Sequence, residues 1–424
     1  MRMTKPTGPV MLLSSITGLY IAQSVIGGIT WTALPAVMRE ADVPLDRIGL
    51  VSLIALPWVL KFLWAPMVER YRLPKTGGNR SGTVVLIGGL ISIFGLILAG
   101  VFNPSGWISL FFILAVVAFA ASTVDIACDG FAVQSLASRH HGWANAAQVG
   151  GAYLGSALGG GLFLYLVGTS EWRTAIWSMA AILLLLGLPF LFVAARVPPE
   201  ERREHVPSLL HALRRPLLRR GLFAAAIFVV AQKVSLGMIG PFLVDEGVDL
   251  STIGIVNGSG SLIVGSAAAL LGGACVRAGG TRPVLILASI LQASLLSLLA
   301  AASVTGAFSV PIMIMIAIAS SSGVMAFGFV ALYAQFMRLS DPRQAGVDFT
   351  LFQCCDAAVS IIGGVVAGQI AEAFGYGVFF SAAAALALAV VPLVAKVSAQ
   401  DHIGTVATDF GVTPDRSIPP FSNG

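Results

Sequence analysis

Five charged residues lie inside long apolar stretches: Lys61, Asp125, Asp129, Lys233 and Asp356. A charge at mid-bilayer costs about 2.5–3.5 kcal/mol on insertion scales, so each needs a partner or a water-filled path. Asp125 and Asp129 come from STVDIACDGFAV at 122–133. Their i, i+4 spacing puts both carboxylates on one helix face. Two neighbouring carboxylates repel, and one of them can then carry a proton. Lys61, in PWVLKFLWAP, falls at a similar depth and could neutralise either Asp. Two readings of this cluster stand: a proton-coupling site, or a fixed ion-pair brace with Lys61 reaching toward the surface. Lys233, about thirteen residues into its apolar stretch, is expected near the midplane. It reads as an anion-attracting site residue or as the partner of Asp356.

Uncharged polar and aromatic residues extend the candidate binding surface. Tyr20, Gln23 and Trp31 share the first apolar stretch, and Gln148 lies in the fifth. Gln232 is in the seventh, Tyr333 at the end of the tenth, and Gln353 in the eleventh. Taken singly, such a residue more often makes an inter-helix hydrogen bond than a ligand contact.

These residues need a scaffold. The chain has 424 residues, of which 57% are apolar and only 11% charged. With about 20 apolar residues per spanning helix, that content allows about twelve spans. The charge content is far below the roughly 25% of soluble domains. It excludes a soluble enzyme, a nucleic-acid-binding domain and a disordered protein, and the long apolar runs exclude an outer-membrane barrel. Twelve apolar stretches follow between 11 and 397, the second at 47–66 and the eleventh at 347–370. A charged, proline-punctuated segment at 196–220 divides them six and six. The expected fold is all-α and integral to the membrane, with twelve helices in two pseudo-symmetric six-helix bundles. The bundles cover 1–195 and 221–397, 196–220 is a cytoplasmic central loop, and 398–424 is a mobile cytoplasmic tail.

The two halves repeat. AQSVIGG at 22–28 corresponds to AQKVSLG at 231–237, IGLV at 48–51 to IGIV at 253–256, and GGNR at 77–80 to GGTR at 279–282. Gln23 and Gln232 thereby hold equivalent places, and Lys233 stands where the first half has Ser24. A duplicated six-helix unit with a site between its halves is a transporter architecture. With both termini inside, 20 of the 25 Lys and Arg fall on cytoplasmic loops and ends, and only Arg39, Arg47 and Arg173 fall outside. Basic residues concentrate on the cytoplasmic side, so the basic loops report topology and contact with anionic lipids rather than a nucleic-acid partner. No histidine lies mid-span, no nucleophile–base pair can be read, and the four cysteines lack metal-ligand spacing. No enzyme, no cofactor and no protein-bound metal is expected.

Twelve spans, two repeats and a basic central loop resemble the major facilitator superfamily. Its signature between the second and third spans, G-x-x-x-D-R-x-G-x-R/K, is met in part by Ala65, Glu69 and Arg70, while Tyr71-Arg72 replaces the glycine position. The second half offers Gly273, Arg277, Gly280 and Arg282. The resemblance implies that Glu69, Arg70, Arg277 and Arg282 latch the cytoplasmic ends of the helices. KFLWAPMVERY at 61–71 and VDIACDGFAV at 124–133 resemble the branch of muropeptide permeases and acetyl-coenzyme A transporters. Within that neighbourhood the chain is most similar to single-protein siderophore permeases of the rhizobactin and pyochelin type, chiefly through GWANAAQVGGAYLGSALGGGL at 142–162. That likeness implies proton-coupled import of a ferric siderophore across the bacterial inner membrane, with no ATP-binding subunit. The same fold could instead carry a muropeptide, an acyl-coenzyme A or an exported drug, or serve as a receptor or scaffold that moves nothing.

Overall fold

The computed structural model describes residues 9–40, 51–102, 107–196, 205–248, 252 and 255–409. Among these residues the protein is built from helices alone. Its principal helices are α1 (Pro9–Gly27), α2 (Ala65–Arg72), α3 (Ser81–Ala99), α4 (Trp107–Ser135), α5 (His141–Ser156) and α6 (Trp172–Ala194). They continue with α7 (Pro216–Lys233), α8 (Ser261–Gly279), α9 (Thr281–Thr305), α10 (Met325–Leu339) and α11 (Ala345–Asp409). Ten helices among the described residues are long and apolar enough to cross a membrane. Large apolar side chains such as Leu90, Phe94, Phe112 and Phe192 stand exposed on their outer faces, as lipid-facing positions must.

The other two expected spans are present in altered form. The second is broken: 3-10 turns at Val51–Ala55 and Lys61–Leu63 interrupt it, next to Pro57 and Pro66. Proline lacks the backbone donor that a continuous helix requires, so the break is written in the sequence. The eleventh and twelfth spans form one element, α11, whose single non-helical residue is Gly375 at φ 79° and ψ 167°. That backbone conformation is open to glycine and strained for other residues. α11 runs on to Asp409, past the boundary expected at 397. The expected tail beyond Asp409 and the start of the central loop, 197–204, lie outside the described residues, and α7 begins within the expected loop at Pro216.

Helix packing follows the repeat. In the first half α1 packs on α5 and α6, and α3 on α4 and α6. In the second half α11 packs on α7 and α9, and α8 and α9 on α10. Contacts of α5 with α8 and α10, and of α4 with α11, join the halves. At one end a single apolar core runs through both halves, from Phe131 and Phe190 to Phe336, Phe349 and Phe352. At the other end it divides into one core ending at Leu183 and another beginning at Ile239. The halves thus meet at one end and separate at the other.

Four π-helical turns interrupt the helices among the described residues: Gly28–Ala33, Ala157–Leu162, Val256–Gly260 and Ala319–Val324. Such turns commonly sit at functional places in helices. The first two lie against each other. Glycines make that approach possible, since a Cβ on Gly28 would come 2.7 Å from Gly160 N and 2.9 Å from Ser156 O. These are backbone atoms and cannot rotate away. Gly28→Val is therefore expected to cost at least about 1–3 kcal/mol, seen as a lower unfolding midpoint in detergent; an unchanged midpoint would refute the close-packing argument.

Candidate functional site

Where the halves separate, they enclose a cavity of about 550 Å³. Tyr20, Gln23, Trp31, Trp58, Asp125, Gln148 and Tyr153 line it from the first half. Lys233, Met325, Phe329, Tyr333 and Gln353 line it from the second. Trp31 and Trp58 meet edge-to-face with ring centroids 5.4 Å apart. Trp31 is 48% exposed, so this pair offers the cavity a broad aromatic surface.

The floor is charged. The broken second span turns at Lys61 and sends its side chain inward, where it is 2% exposed. Its ammonium donates to the Asp125 carboxylate and, across the halves, to Gln353 Oε1. Lys61 is therefore a buried partner and does not reach toward the surface. One helical turn below Asp125, Asp129 is fully buried. The Tyr20 hydroxyl donates to Asp129 Oδ1 at 2.8 Å, and Gln148 Nε2 lies at 3.4 Å from the same oxygen. Asp129 Oδ2 has no hydrogen-bond partner among the described residues. A carboxylate buried with only neutral donors is costly to leave charged. The two carboxylates expected on one face thus differ in kind, since Asp125 has a cation and Asp129 has none within salt-bridge distance among the described residues.

On the opposite wall Lys233 Nζ donates to Asp356 Oδ1 at 2.6 Å. The Tyr333 hydroxyl donates to Asp356 Oδ2 at 2.9 Å. The Lys233 ammonium also lies over the Phe329 ring, 4.6 Å from its centroid. Lys233 thus pairs with Asp356 and also lines the cavity.

Other candidates separate from the cavity. Asp356 sits behind Lys233 and outside the lining. Gln232 is fully buried away from the cavity, with both amide atoms unpartnered among the described residues. The repeat equates it with Gln23 by position, yet the two side chains meet different surroundings.

The closed end holds the residues expected to latch it. Glu69 is fully buried and pairs with Arg72 at 2.6 Å. Its Oε1 also accepts from Gly346 N at 3.1 Å, which crosses the halves. Arg72 donates further to Gln134 Oε1 at 2.8 Å. Arg70 donates to Pro207 O at 2.9 Å, tying down the segment before α7. Arg277 Nη1 comes within 3.3 Å of His140 Nδ1 across the halves. Arg282 is exposed at the start of α9, and its neighbour Thr281 makes the buried contact there, donating to Gln335 Oε1 at 2.6 Å. Sequence reasoning missed four members of this end: Arg72, His205, Arg215 and Asp348. Arg215 pairs with Asp348, and His205 lies 2.9 Å from Gln344 Oε1. The Glu69–Arg72 pair had a signal in its i, i+3 spacing.

Glu69→Gln is expected to destabilise the closed end, because it leaves Arg72 fully buried without its counter-charge. Breaking a buried pair costs about 3–5 kcal/mol. The expected readout is faster labelling of a cysteine introduced by Ala345→Cys from the closed side; unchanged labelling would remove Glu69 from the latch.

With this geometry the family can be stated. The sequence profile of the Major Facilitator Superfamily matches residues 16–291. The chain belongs to that family of multi-pass membrane transporters. It is similar to the anhydromuropeptide permease of Escherichia coli K12, with 27% identity over 403 residues covering 91% of this chain and 79% of that protein. An uncharacterized protein of Haemophilus influenzae is 25% identical over 365 residues, covering 82% of this chain and 85% of that one. Among solved structures, the fucose:proton symporter of Escherichia coli superposes with a TM-score of 0.69 at 15% identity, over 92% of this chain and 98% of that one. An outward-facing bacterial homologue of the iron transporter ferroportin gives 0.68 at 16% identity, over 92% and 99%. At such identities the structures speak for the fold alone. The sequence relatives agree with the broader muropeptide-permease likeness and lend the narrower siderophore likeness no support.

Proposed function

We propose that the chain is an alternating-access permease that carries a muropeptide-class solute, a sugar–peptide, driven by protons. The observation that carries this reading is the polar cavity between the halves, floored by buried charges, in a chain similar over 91% of its length to a muropeptide permease. The volume suits a small-molecule site, and the Trp31–Trp58 pair gives a sugar a flat amphipathic surface. We take 1–195 and 221–397 as the two moving bundles, 196–220 as their cytoplasmic connection and 398–424 as the tail. Basic loops put the latched end in the cytoplasm. The cavity then faces outward, ready to receive a solute for import across the bacterial inner membrane. Asp129, or its neighbour Asp125, carries the proton, and Lys61 resets the charge when the proton leaves.

A ferric siderophore is the second cargo in contention, because the stretch at 142–162 that carries that likeness supplies Gln148 and Tyr153 to the cavity wall. The test is uptake into cells lacking other routes, with and without this protein. Radiolabelled anhydromuropeptide and radioactive iron on several siderophores are offered separately, each with and without an uncoupler. Anhydromuropeptide uptake that collapses with the uncoupler is the expected result. Uptake of one ferric siderophore alone would replace the cargo, and uptake indifferent to the uncoupler would remove the proton.

A further inference from the structure

The two ion pairs at the cavity are turned in opposite senses. In the first half the pair is Lys61–Asp125, with side-chain exposures of 2% and 7%, and the carboxylate is the member that lines the cavity. In the second half the pair is Lys233–Asp356, with exposures of 22% and 6%, and here the lysine is the member that lines the cavity. The first wall therefore presents an anion backed by a buried cation. The second presents a cation backed by a buried anion. Each facing group keeps binding capacity, because an ammonium has three donors and a carboxylate has about four lone-pair sites. Lys233 gives one donor to Asp356 and turns its ammonium toward Phe329 at the cavity surface.

We infer that the transported solute is a zwitterion, whose ammonium is received by Asp125 and whose carboxylate is received by Lys233. Each buried partner holds its facing group in place and keeps each wall near neutral when the cavity is empty. A purely anionic solute would meet Asp125 unfavourably, and a purely cationic one would meet Lys233 unfavourably. The inference rests on the permease reading above and narrows it to sugar–peptides whose peptide has a free amine and a free carboxylate.

The test measures binding to the purified full chain in lipid nanodiscs. Three probes are matched: an anhydromuropeptide with a zwitterionic peptide, the same compound acetylated on its amine, and the same compound amidated on its carboxylates. Charged hydrogen bonds of this kind translate into roughly ten- to hundredfold weaker binding for each capped probe. Asp125→Asn should erase the difference between the first and second probes while keeping that between the first and third. Lys233→Gln should do the reverse. Since Lys233→Gln leaves Asp356 without its cation, Lys233→Gln with Asp356→Asn serves as the second variant and should show the same selectivity. Equal binding of all three probes by the parent chain would overturn the inference while leaving a muropeptide permease standing. So would capping penalties that neither variant changes. Failure to bind any of the three would overturn the permease reading and the inference with it.

Discussion

Lys61→Met is expected to lower the stability of the folded protein by about 3–5 kcal/mol and to stop transport. The ammonium is buried, and it is the cation that both Asp125 and, from the other half, Gln353 bind. Removing it leaves a carboxylate at the cavity floor with no counter-charge. It also severs a bond between the halves. The accompanying double variant, Lys61→Met with Asp125→Asn, removes both charges together. Replacing both members of a buried pair is often near neutral, so stability should return toward that of the parent. Transport should not return, since the proposed cycle needs the Lys61 charge to reset it. Unfolding in detergent by heat, run beside uptake, measures both effects. A single variant as stable as the parent would mean that Lys61 is not shielding Asp125.

Asp129→Asn has the second large effect, and it falls on energy coupling. An amide has nearly the shape of the carboxylate and can still accept from the Tyr20 hydroxyl through its oxygen, so folding should hardly change. What it cannot do is take up and release a proton. A membrane potential near 150 mV contributes roughly 3.5 kcal/mol per charge moved inward, which corresponds to roughly 300-fold accumulation. The variant is expected to lose this accumulation and to keep exchange of labelled for unlabelled solute. Asp125→Asn differs, because it also unpairs Lys61 and should lower stability as well. Reconstituted vesicles with an imposed gradient, assayed for uptake and then for exchange, separate the two. Full accumulation by Asp129→Asn would pass the proton role to Asp125.

Most of the scaffold was legible because hydrocarbon tolerates so little. Long apolar runs announce the spans, and any charge within one announces a partner or a cavity. Lys61, Asp125, Asp129, Lys233 and Asp356 were found on that ground alone, and the structure brings them into two clusters. The second span was expected whole at 47–66, and the signal of its break that Pro57 and Pro66 carry went unused. The pairings were harder to read. Nothing in a single sequence says that Lys61 meets Gln353 from the other half, because that depends on how the bundles dock. Gln232 shows the limit of repeat reasoning, since a duplicated helix keeps its place in the order while its side chains meet different neighbours. Arg72 was passed over because it stands where the signature has glycine, yet its full burial beside Glu69 makes it central to the closed end. The π-helical turns left no trace in the pattern, because they are set by how helices press on one another.

Those π-helical turns each hold a residue that the register of the rest of the helix does not need. Each amounts to one residue more than an α-helix would use over the same stretch, and each residue of an α-helix advances the next by about 100°. A deletion of one residue in Gly28–Ala33 would let that turn relax to α-helix with the helix beyond it left in register, so the change would fall on the wide turn itself, where Trp31 meets Trp58. The partner turn at Ala157–Leu162, which packs against it, would then lose the surface it fits. A π-helical turn is thus a place where the chain can lose one residue without turning the rest of its helix, and the loss is felt at the contact between the two turns.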